Sequence, residues 1–227
     1  MKKLVVLTGA GISAESGLKT FRDSGGLWEG FSIEEVATID AWYANPERVL
    51  EFYNYRRAEA AGAKPNAGHY ALAKLESCFD VTIITQNVDD LHEKSGSATV
   101  IHLHGMLRQA RSEDDPNLVM DIGDAPIHLG DLAPDGSRLR PNIVWFGEVV
   151  PMMATAAKLA GEADLFIVCG TSLAVYPAAG LIHYTRKDIP KFIIDPNIPD
   201  VSLDSEWQHY FETAAKGLPK LASSLCS

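Results

Sequence analysis

The sequence predicts an α/β fold, a parallel sheet with helices on both faces, joined to a smaller module made from two insertions. Short β-branched runs recur along the 227 residues, stretches of helical period alternate with them, and a Gly-rich turn stands directly after the first run. With 46% hydrophobic and 22% charged residues the composition is that of an ordinary globular protein, long enough to bury a full core.

Leu4–Thr8 reads as the first strand, an apolar run closed by Thr8 and Gly9. Met1-Lys2-Lys3 ahead of it imitates a secretion signal, but the run is shorter than the ~7–15 apolar residues such a signal needs. Gly9-Ala10-Gly11-Ile12-Ser13-Ala14 follows with the form G-x-G-x-x-G/A, at the strand-to-helix turn where glycines let backbone approach a pyrophosphate. The core is therefore expected to be Rossmann-like. The acidic ribose ligand that a dehydrogenase places ~20 residues on has no clear counterpart, because Glu29, Glu34 and Glu35 fall where a helical insertion begins. Hydride transfer is disfavoured on that ground.

Residues 30–63 read as wholly helical and dense in aromatics, among them Phe31, Trp42, Tyr43, Phe52, Tyr53 and Tyr55. Ala67–Ser77 is a helix with Ala71, Leu72 and Leu75 on one stripe, and Val81–Thr85 and Thr99–Leu103 are the next strands. Residues 106–139, with six Asp, one Glu and three Pro, read as an irregular excursion. Asn142–Trp145, Leu165–Cys169 and Phe192–Asp195 complete the expected strands, and Met152–Ala160 is a further helix. Near-continuous apolarity in these strands predicts burial on both faces. Residues 1–29, 64–105 and 140–227 are then expected to form the nucleotide-binding domain, and 30–63 with 106–139 the small domain, with a ligand cleft between them.

Thirty acidic against 20 basic residues give a formal charge of −10, and without a basic run direct nucleic-acid binding is not expected. No stretch of ~18 apolar residues is present to span a bilayer, so no membrane partner is expected and a cytoplasmic protein is. Cys78, Cys169 and Cys226 are widely spaced without a C-x-x-C pair, which points to neither a disulfide framework nor a zinc site, and to a reducing compartment. Oligomeric state is not legible.

Polar clusters follow the expected strands: Ser16-Gly17-Leu18-Lys19-Thr20-Phe21-Arg22 after the Gly-rich turn, then Thr85-Gln86-Asn87-Val88-Asp89-Asp90-Leu91-His92, then His102-Leu103-His104-Gly105. Arg140-Pro141-Asn142-Ile143-Val144-Trp145-Phe146-Gly147-Glu148 and Gly170-Thr171-Ser172-Leu173-Ala174-Val175-Tyr176-Pro177 are two more. In an open α/β sheet such clusters converge at the carboxyl ends of the strands.

Taken in this order and over nearly the whole length, these blocks resemble the sirtuins, NAD-dependent protein-lysine deacylases. The resemblance implies NAD as co-substrate, acylated lysine peptides and proteins as partners, and release of nicotinamide and O-acyl-ADP-ribose. It implies that Gly9, Ala10, Gly11, Ala14, Phe21 and Arg22 hold the pyrophosphate and nicotinamide ribose. Gln86, Asn87, Val88 and Asp89 would position the ribose and nicotinamide, and Gly170, Thr171, Ser172, Asp195 and Ala214 would reach the adenosine half. His104 would be the general base, a role that imidazole suits at neutral pH, with Asn87 and Asp89 as its catalytic companions. Val144, Trp145, Phe146 and Gly147, with Leu173 and Val175, would offer strand-like edges to an extended peptide. His102 is expected to face the opposite way from His104, and His69 and His92 to pack or cap.

Tyr53 and Arg56 lie three apart, so on a helix both project from one face. Read plainly they are a core tyrosine and a solvated ion pair; read as a pocket they are a phenol donor and a cationic fork for a carboxylate on an acyl chain. With Ala14, the pair resembles the sirtuin class that removes succinyl and malonyl groups. The alternatives are a catalytically idle NAD or ADP-ribose sensor and a protein ADP-ribosyltransferase.

Three departures stand out. Most sirtuins carry two C-x-x-C pairs between the His-Gly and Arg-Pro blocks, whereas residues 106–139 contain no cysteine, so no zinc is expected. Leu118, Val119, Met120, Ile122, Ile127, Leu129 and Leu132 are expected to compensate as an apolar cluster, and Asp121, Asp124, His128 and Asp131 are the remaining oxygen and nitrogen ligands. Lys19 stands where the family usually has proline, and Asp195 where it has asparagine.

Overall fold

The structure, a computed structural model, describes residues 1–20, 27–28, 31–199, 201–203 and 205–226. The chain begins with β1 (Lys3–Thr8), α1 (Gly11–Ala14), the short strands β2 (Leu27–Trp28) and β3 (Phe31–Ser32), and the helices α2 (Ile33–Val36), α3 (Ile39–Ala44), α4 (Pro46–Gly62) and α5 (Ala67–Leu75). Then come β4 (Asp80–Thr85), α6 (Leu91–Lys94), β5 (Val100–His102), β6 (Gly105–Ser112), β7 (Val119–Asp121), β8 (Leu139–Ile143) and α7 (Met153–Glu162). β9 (Leu165–Cys169), a 3₁₀ helix (Ala178–Tyr184), β10 (Lys191–Ile194), β11 (Trp207–Tyr210) and α8 (Ala214–Leu225) follow.

Six strands form one parallel sheet in the order β11-β10-β9-β1-β4-β5. Period-two alternation sends Leu4, Val6, Ile83, Ile167 and Ile194 to one face, against Leu72 and Leu75 of α5 and Leu218 and Leu221 of α8. Val5, Leu7, Ile84, Phe166, Val168 and Ile193 go to the other, against Ala156 and Ala160 of α7 and Leu181 of the 3₁₀ helix. Both faces are dry, which is why these strands read as unbroken apolar runs; each buried Leu, Ile or Val contributes about 1.5–3 kcal/mol.

The excursion at 106–139 is more regular than the sequence suggests. β6 pairs antiparallel with β7 and with β8 in a separate three-stranded sheet, so the strand expected at Asn142–Trp145 as part of the parallel sheet belongs instead, as Leu139–Ile143, to the small one. β6 carries Arg108, Gln109 and Arg111, and a polar strand of a thin sheet leaves no apolar run to detect. β11 was likewise unforeseen, and residues 30–63 are helical only after β3.

The expected apolar cluster is corrected as well. Ile127 is buried and Ile122 half-buried beside Trp42, Leu107 and Ala110, whereas Val119, Leu129 and Leu132 are exposed. Polar knots hold the module instead: Ser112 Oγ bridges Asp135 at 2.6 Å and Ser137 at 2.7 Å, while Arg138 forks onto Glu113, which also accepts from the Trp42 indole. Packing against α4 supplies the apolar share.

Cys78, just past α5, and Cys226, just past α8, form a disulfide with Cα atoms 5.9 Å apart. This corrects the expectation, drawn from the cysteine spacing, that no disulfide forms. The two residues are 148 apart in sequence, but α5 and α8 pack side by side on one face of the sheet and bring their ends together. Cys169, buried in β9, is a free thiol. Among the described residues no helix is long and apolar enough to cross a membrane.

Because the bond closes a long loop, Cys226→Ser or thiol reduction is expected to lower the unfolding free energy by about 2–4 kcal/mol. Urea titration of oxidised and reduced protein checks this; superimposable curves would contradict it.

Candidate active site

The carboxyl ends of β1, β4, β9 and β10 and the segments that follow β5 and β8 open into one cavity of about 460 Å³. Its floor is a meeting of two turns. Gly9 N–H donates to Cys169 O at 3.1 Å and Gly11 N–H to Gly170 O at 2.8 Å. A Cβ on Gly11 would stand 2.8 Å from Gly170 Cα, and Gly170 itself has φ +61°, so neither position admits a side chain without displacement. Gly9, Ala10, Gly11 and Ala14 line this floor, joined by Gly170, Thr171 and Ser172. Asp195 and Ala214 line the same cavity. Phe21 and Arg22 lie outside the described residues.

The loop after β4 supplies the buried polar groups. Asp89, 7% exposed, accepts from the Ser13 hydroxyl at 3.0 Å and from Leu91 N–H at 3.1 Å, and Asn87 Nδ2 donates to the same Ser13 Oγ at 3.1 Å. Burial pushes the Asp89 carboxyl above its ordinary value, and the hydrogen bonds from Leu91 and Ser13 oppose the shift. Gln86 Nε2 donates to Thr171 Oγ1 at 3.1 Å, tying this loop to the one after β9. Gln86, Asn87, Val88 and Asp89 all line the cavity. Ser13, which orients both Asn87 and Asp89, was not singled out from sequence, although it lies inside the Gly-rich motif.

His104 faces the cavity with Nδ1 3.0 Å from Gln86 O. A carbonyl only accepts, so Nδ1 carries the hydrogen and Nε2 keeps its lone pair. Burial holds this imidazole below the ordinary histidine value, and the bond to Gln86 pulls the other way. His102 lies outside the cavity lining, but not by strand alternation, since residues two apart on a strand share a face. β5 ends at His102, and the bend at Leu103 and His104 separates the two rings. His69 accepts from Asn66 N–H at the start of α5, and His92 contacts the buried Thr8 hydroxyl at 3.0 Å, so both cap or pack as expected.

Tyr53 and Arg56 share the buried face of α4 and line the cavity wall. Tyr53 packs on Trp145 with ring centroids 6.0 Å apart, and burial drives its phenol far up, so that it stays a donor. Arg56, 7% exposed, places its guanidinium 3.8 Å from Glu59. Val144, Trp145, Phe146, Gly147 and Val175 line the cavity, whereas Leu173 does not: it is fully buried in the core beneath the loop. A buried clamp that the sequence did not reveal fixes the Trp145 segment. Glu148 accepts from Arg140 at 2.8 and 3.0 Å, from Arg111 at 3.0 Å and from Trp145 N–H at 2.8 Å, while the Arg140 guanidinium lies 3.7 Å over the Trp145 ring. Burial opposes its charge, but Arg140, the Trp145 amide and Arg111 together outweigh that and hold the Glu148 carboxyl below its usual range.

The Sir2 family profile matches residues 9–177. An NAD-dependent protein deacylase of Helicobacter pylori (strain ATCC 700392 / 26695) is 52% identical over 225 residues, covering 99% of this chain and 98% of its own. One of Bacteroides thetaiotaomicron is 46% identical over 230 residues, covering 99% and 98%. A solved Sir2 homologue–NAD complex is 38% identical with a TM-score of 0.88, over 99% of this chain and 89% of that one. A Sir2 solved with a deacetylated p53 peptide and 3'-O-acetyl ADP ribose is 33% identical with a TM-score of 0.83, over 99% and 94%. The chain belongs to the Sir2 family.

Zinc does not fit the small module. Serine and aspartate oxygens, already bonded to one another at Ser112, Asp135 and Ser137, tie the ends of β6 and the β7–β8 connection, and residues 106–139 contain no cysteine to supply a thiolate. Asp121 is taken up by Arg108, and among the described residues no three His, Cys, Asp or Glu gather as a metal site.

Glu148→Ala leaves the buried Arg140 without its carboxylate and is expected to cost about 3–5 kcal/mol of stability. A loss below about 1 kcal/mol in urea unfolding would show that the clamp does not hold the segment.

Proposed function

We propose that this Sir2-family enzyme is an NAD-dependent protein-lysine deacylase that prefers succinyl- and malonyl-lysine over acetyl-lysine. Relatives at 46–52% identity over the full chain carry the name NAD-dependent protein deacylase, which supports the general activity. The preference rests on one observation: a buried guanidinium and a phenol kept protonated, Arg56 and Tyr53, together on the cavity wall.

The cavity fits the co-substrate. Its glycine floor is a cradle that a Cβ would fill, and its polar groups are buried donors and acceptors rather than a solvated surface. Gly9, Ala10, Gly11 and Ala14 would hold the pyrophosphate, and Thr171, Ser172, Asp195 and Ala214 the adenosine half. When bound, NAD supplies a ribose carbon that becomes electrophilic as nicotinamide leaves.

The chain's own groups account for the rest. Asp89 accepts a carboxamide N–H, and Asn87 holds a hydroxyl or a water. His104 Nε2, left as a lone pair by the bond from Nδ1 to Gln86 O, takes a proton from a ribose hydroxyl so that the hydroxyl can receive the acyl group. The acyl carbonyl oxygen bonds to the ribose carbon as nicotinamide leaves, and one water is consumed as the lysine amine departs, so that nicotinamide, free lysine and O-acyl-ADP-ribose are the products. Trp145–Gly147 and Val175 flank an extended peptide, whose main chain carries most of the contact, so sequence tolerance follows. The carboxylate of a succinyl group would reach Arg56 and Tyr53, a charge-assisted pair that an acetyl group cannot use.

Arg56→Met tests the preference. On one peptide carried in both acyl forms, KM for succinyl-lysine is expected to rise about 10-fold or more while KM for acetyl-lysine changes little. An equal rise for both forms would make Arg56 a packing residue and overturn the acidic-acyl reading.

A further inference from the structure

His104 is one of two histidines at the end of β5 that reach the catalytic loop. His102, its side chain 8% exposed, places Nδ1 3.0 Å from Asn87 O and Nε2 2.7 Å from Glu93 Oε1. Both partners are acceptors, a carbonyl and a carboxylate, so both ring nitrogens carry hydrogen and the ring is an imidazolium. His104 faces Gln86 O through Nδ1 and turns Nε2 to the cavity. The two histidines therefore grip consecutive carbonyls of one loop, at Gln86 and Asn87, one ring charged and the other neutral.

We propose that His102, kept charged by Glu93, is a positioning residue of the reaction: it fixes the Asn87 main chain and so presents Asn87 Nδ2 and the Asp89 carboxylate to the cavity. This rests on the reading of the cavity as a deacylase site. The charged and titratable groups facing His102 are Glu93 and His92 from α6 and Asp89 from the loop after β4. Burial disfavours the cation, but the Glu93 hydrogen bond and charge, the Asn87 carbonyl and the Asp89 charge outweigh it and raise His102 above the ordinary histidine value. His92, driven well below that value by burial, is neutral and does not compete. In return the His102 charge lowers the buried Asp89 carboxyl, whose other partners are the Leu91 amide and the Ser13 hydroxyl.

The signs fix a pH window. His104 is a base only above its lowered midpoint, whereas His102 donates to Asn87 O and to Glu93 together only below its raised one. The acid limb of kcat/KM belongs to His104 and the alkaline limb to His102.

The test combines histidine ring-nitrogen NMR, calorimetric binding of ADP-ribose, and kcat/KM profiles on the full chain, for wild type, Glu93→Gln and His102→Gln. Wild-type His102 is expected to carry hydrogen on both nitrogens at neutral pH. Glu93→Gln lowers its midpoint by about one pH unit or more and moves the alkaline limb with it. Above that midpoint ADP-ribose affinity falls by about threefold to tenfold, the worth of one lost hydrogen bond. His102→Gln keeps a donor toward Asn87 O without a titrating proton, and its alkaline limb flattens. A neutral His102 at neutral pH, or a shifted midpoint that moves neither affinity nor limb, overturns the proposal. The NMR and binding readouts need no turnover, so these shifts in a protein that deacylates nothing support the His102 assignment while overturning the deacylase reading.

Discussion

The contact between the turn after β1 and the turn after β9 sets the geometry on which the rest of the site depends. Gly11 and Gly170 approach so closely that a single Cβ on either would meet backbone, and the bond from Gly11 N–H to Gly170 O locks them. With β1 paired to both β9 and β4, that contact fixes the height at which three strands end. Gln86 then reaches Thr171, Ser13 reaches Asp89, and the cavity closes around groups from distant parts of the chain. A fold that buries both sheet faces leaves little freedom for these ends to drift.

Burying the polar loop has a cost, and the structure offsets it by giving its buried groups specific partners. Asn87 and Asp89 share Ser13, Thr8 donates to Thr85, and Asn87 N–H reaches the Thr85 hydroxyl. Unpaired, such groups would each cost about 1–3 kcal/mol. The same bonds select protonation states: Gln86 O fixes the tautomer of His104, and the paired acceptors around His102 demand its second proton.

Much of the fold was legible because the strands of the parallel sheet are dry on both faces and announce themselves as apolar runs; Leu165–Cys169 matches β9 to the residue. The Gly-rich turn and the polar clusters after the strands were legible for the same topological reason. What stayed hidden depends on partners remote in sequence. β6 is polar because its sheet is thin, Val119, Leu129 and Leu132 stay in solvent because Ser112, Asp135 and Glu113 bind the module with charge and hydroxyls, and Cys78 meets Cys226 only once α5 and α8 are docked. Leu173 looked like a peptide edge and is core, since the chain turns under the loop there. Glu148 and Ser13 gave no signal beyond membership of their motifs.

In the proposed function the converged loops make His104 Nε2 a base acting on an NAD-derived ribose. Wild type and His104→Ala should be incubated with NAD and a succinyl-lysine peptide, with nicotinamide and free-lysine peptide quantified together by mass spectrometry and ADP-ribose binding measured alongside. The account predicts equal amounts of both products from wild type. For His104→Ala it predicts a loss of about 10²-fold or more in deacylated peptide, with ADP-ribose affinity retained. Undiminished turnover by His104→Ala, or no NAD-dependent deacylation by wild type, would contradict it.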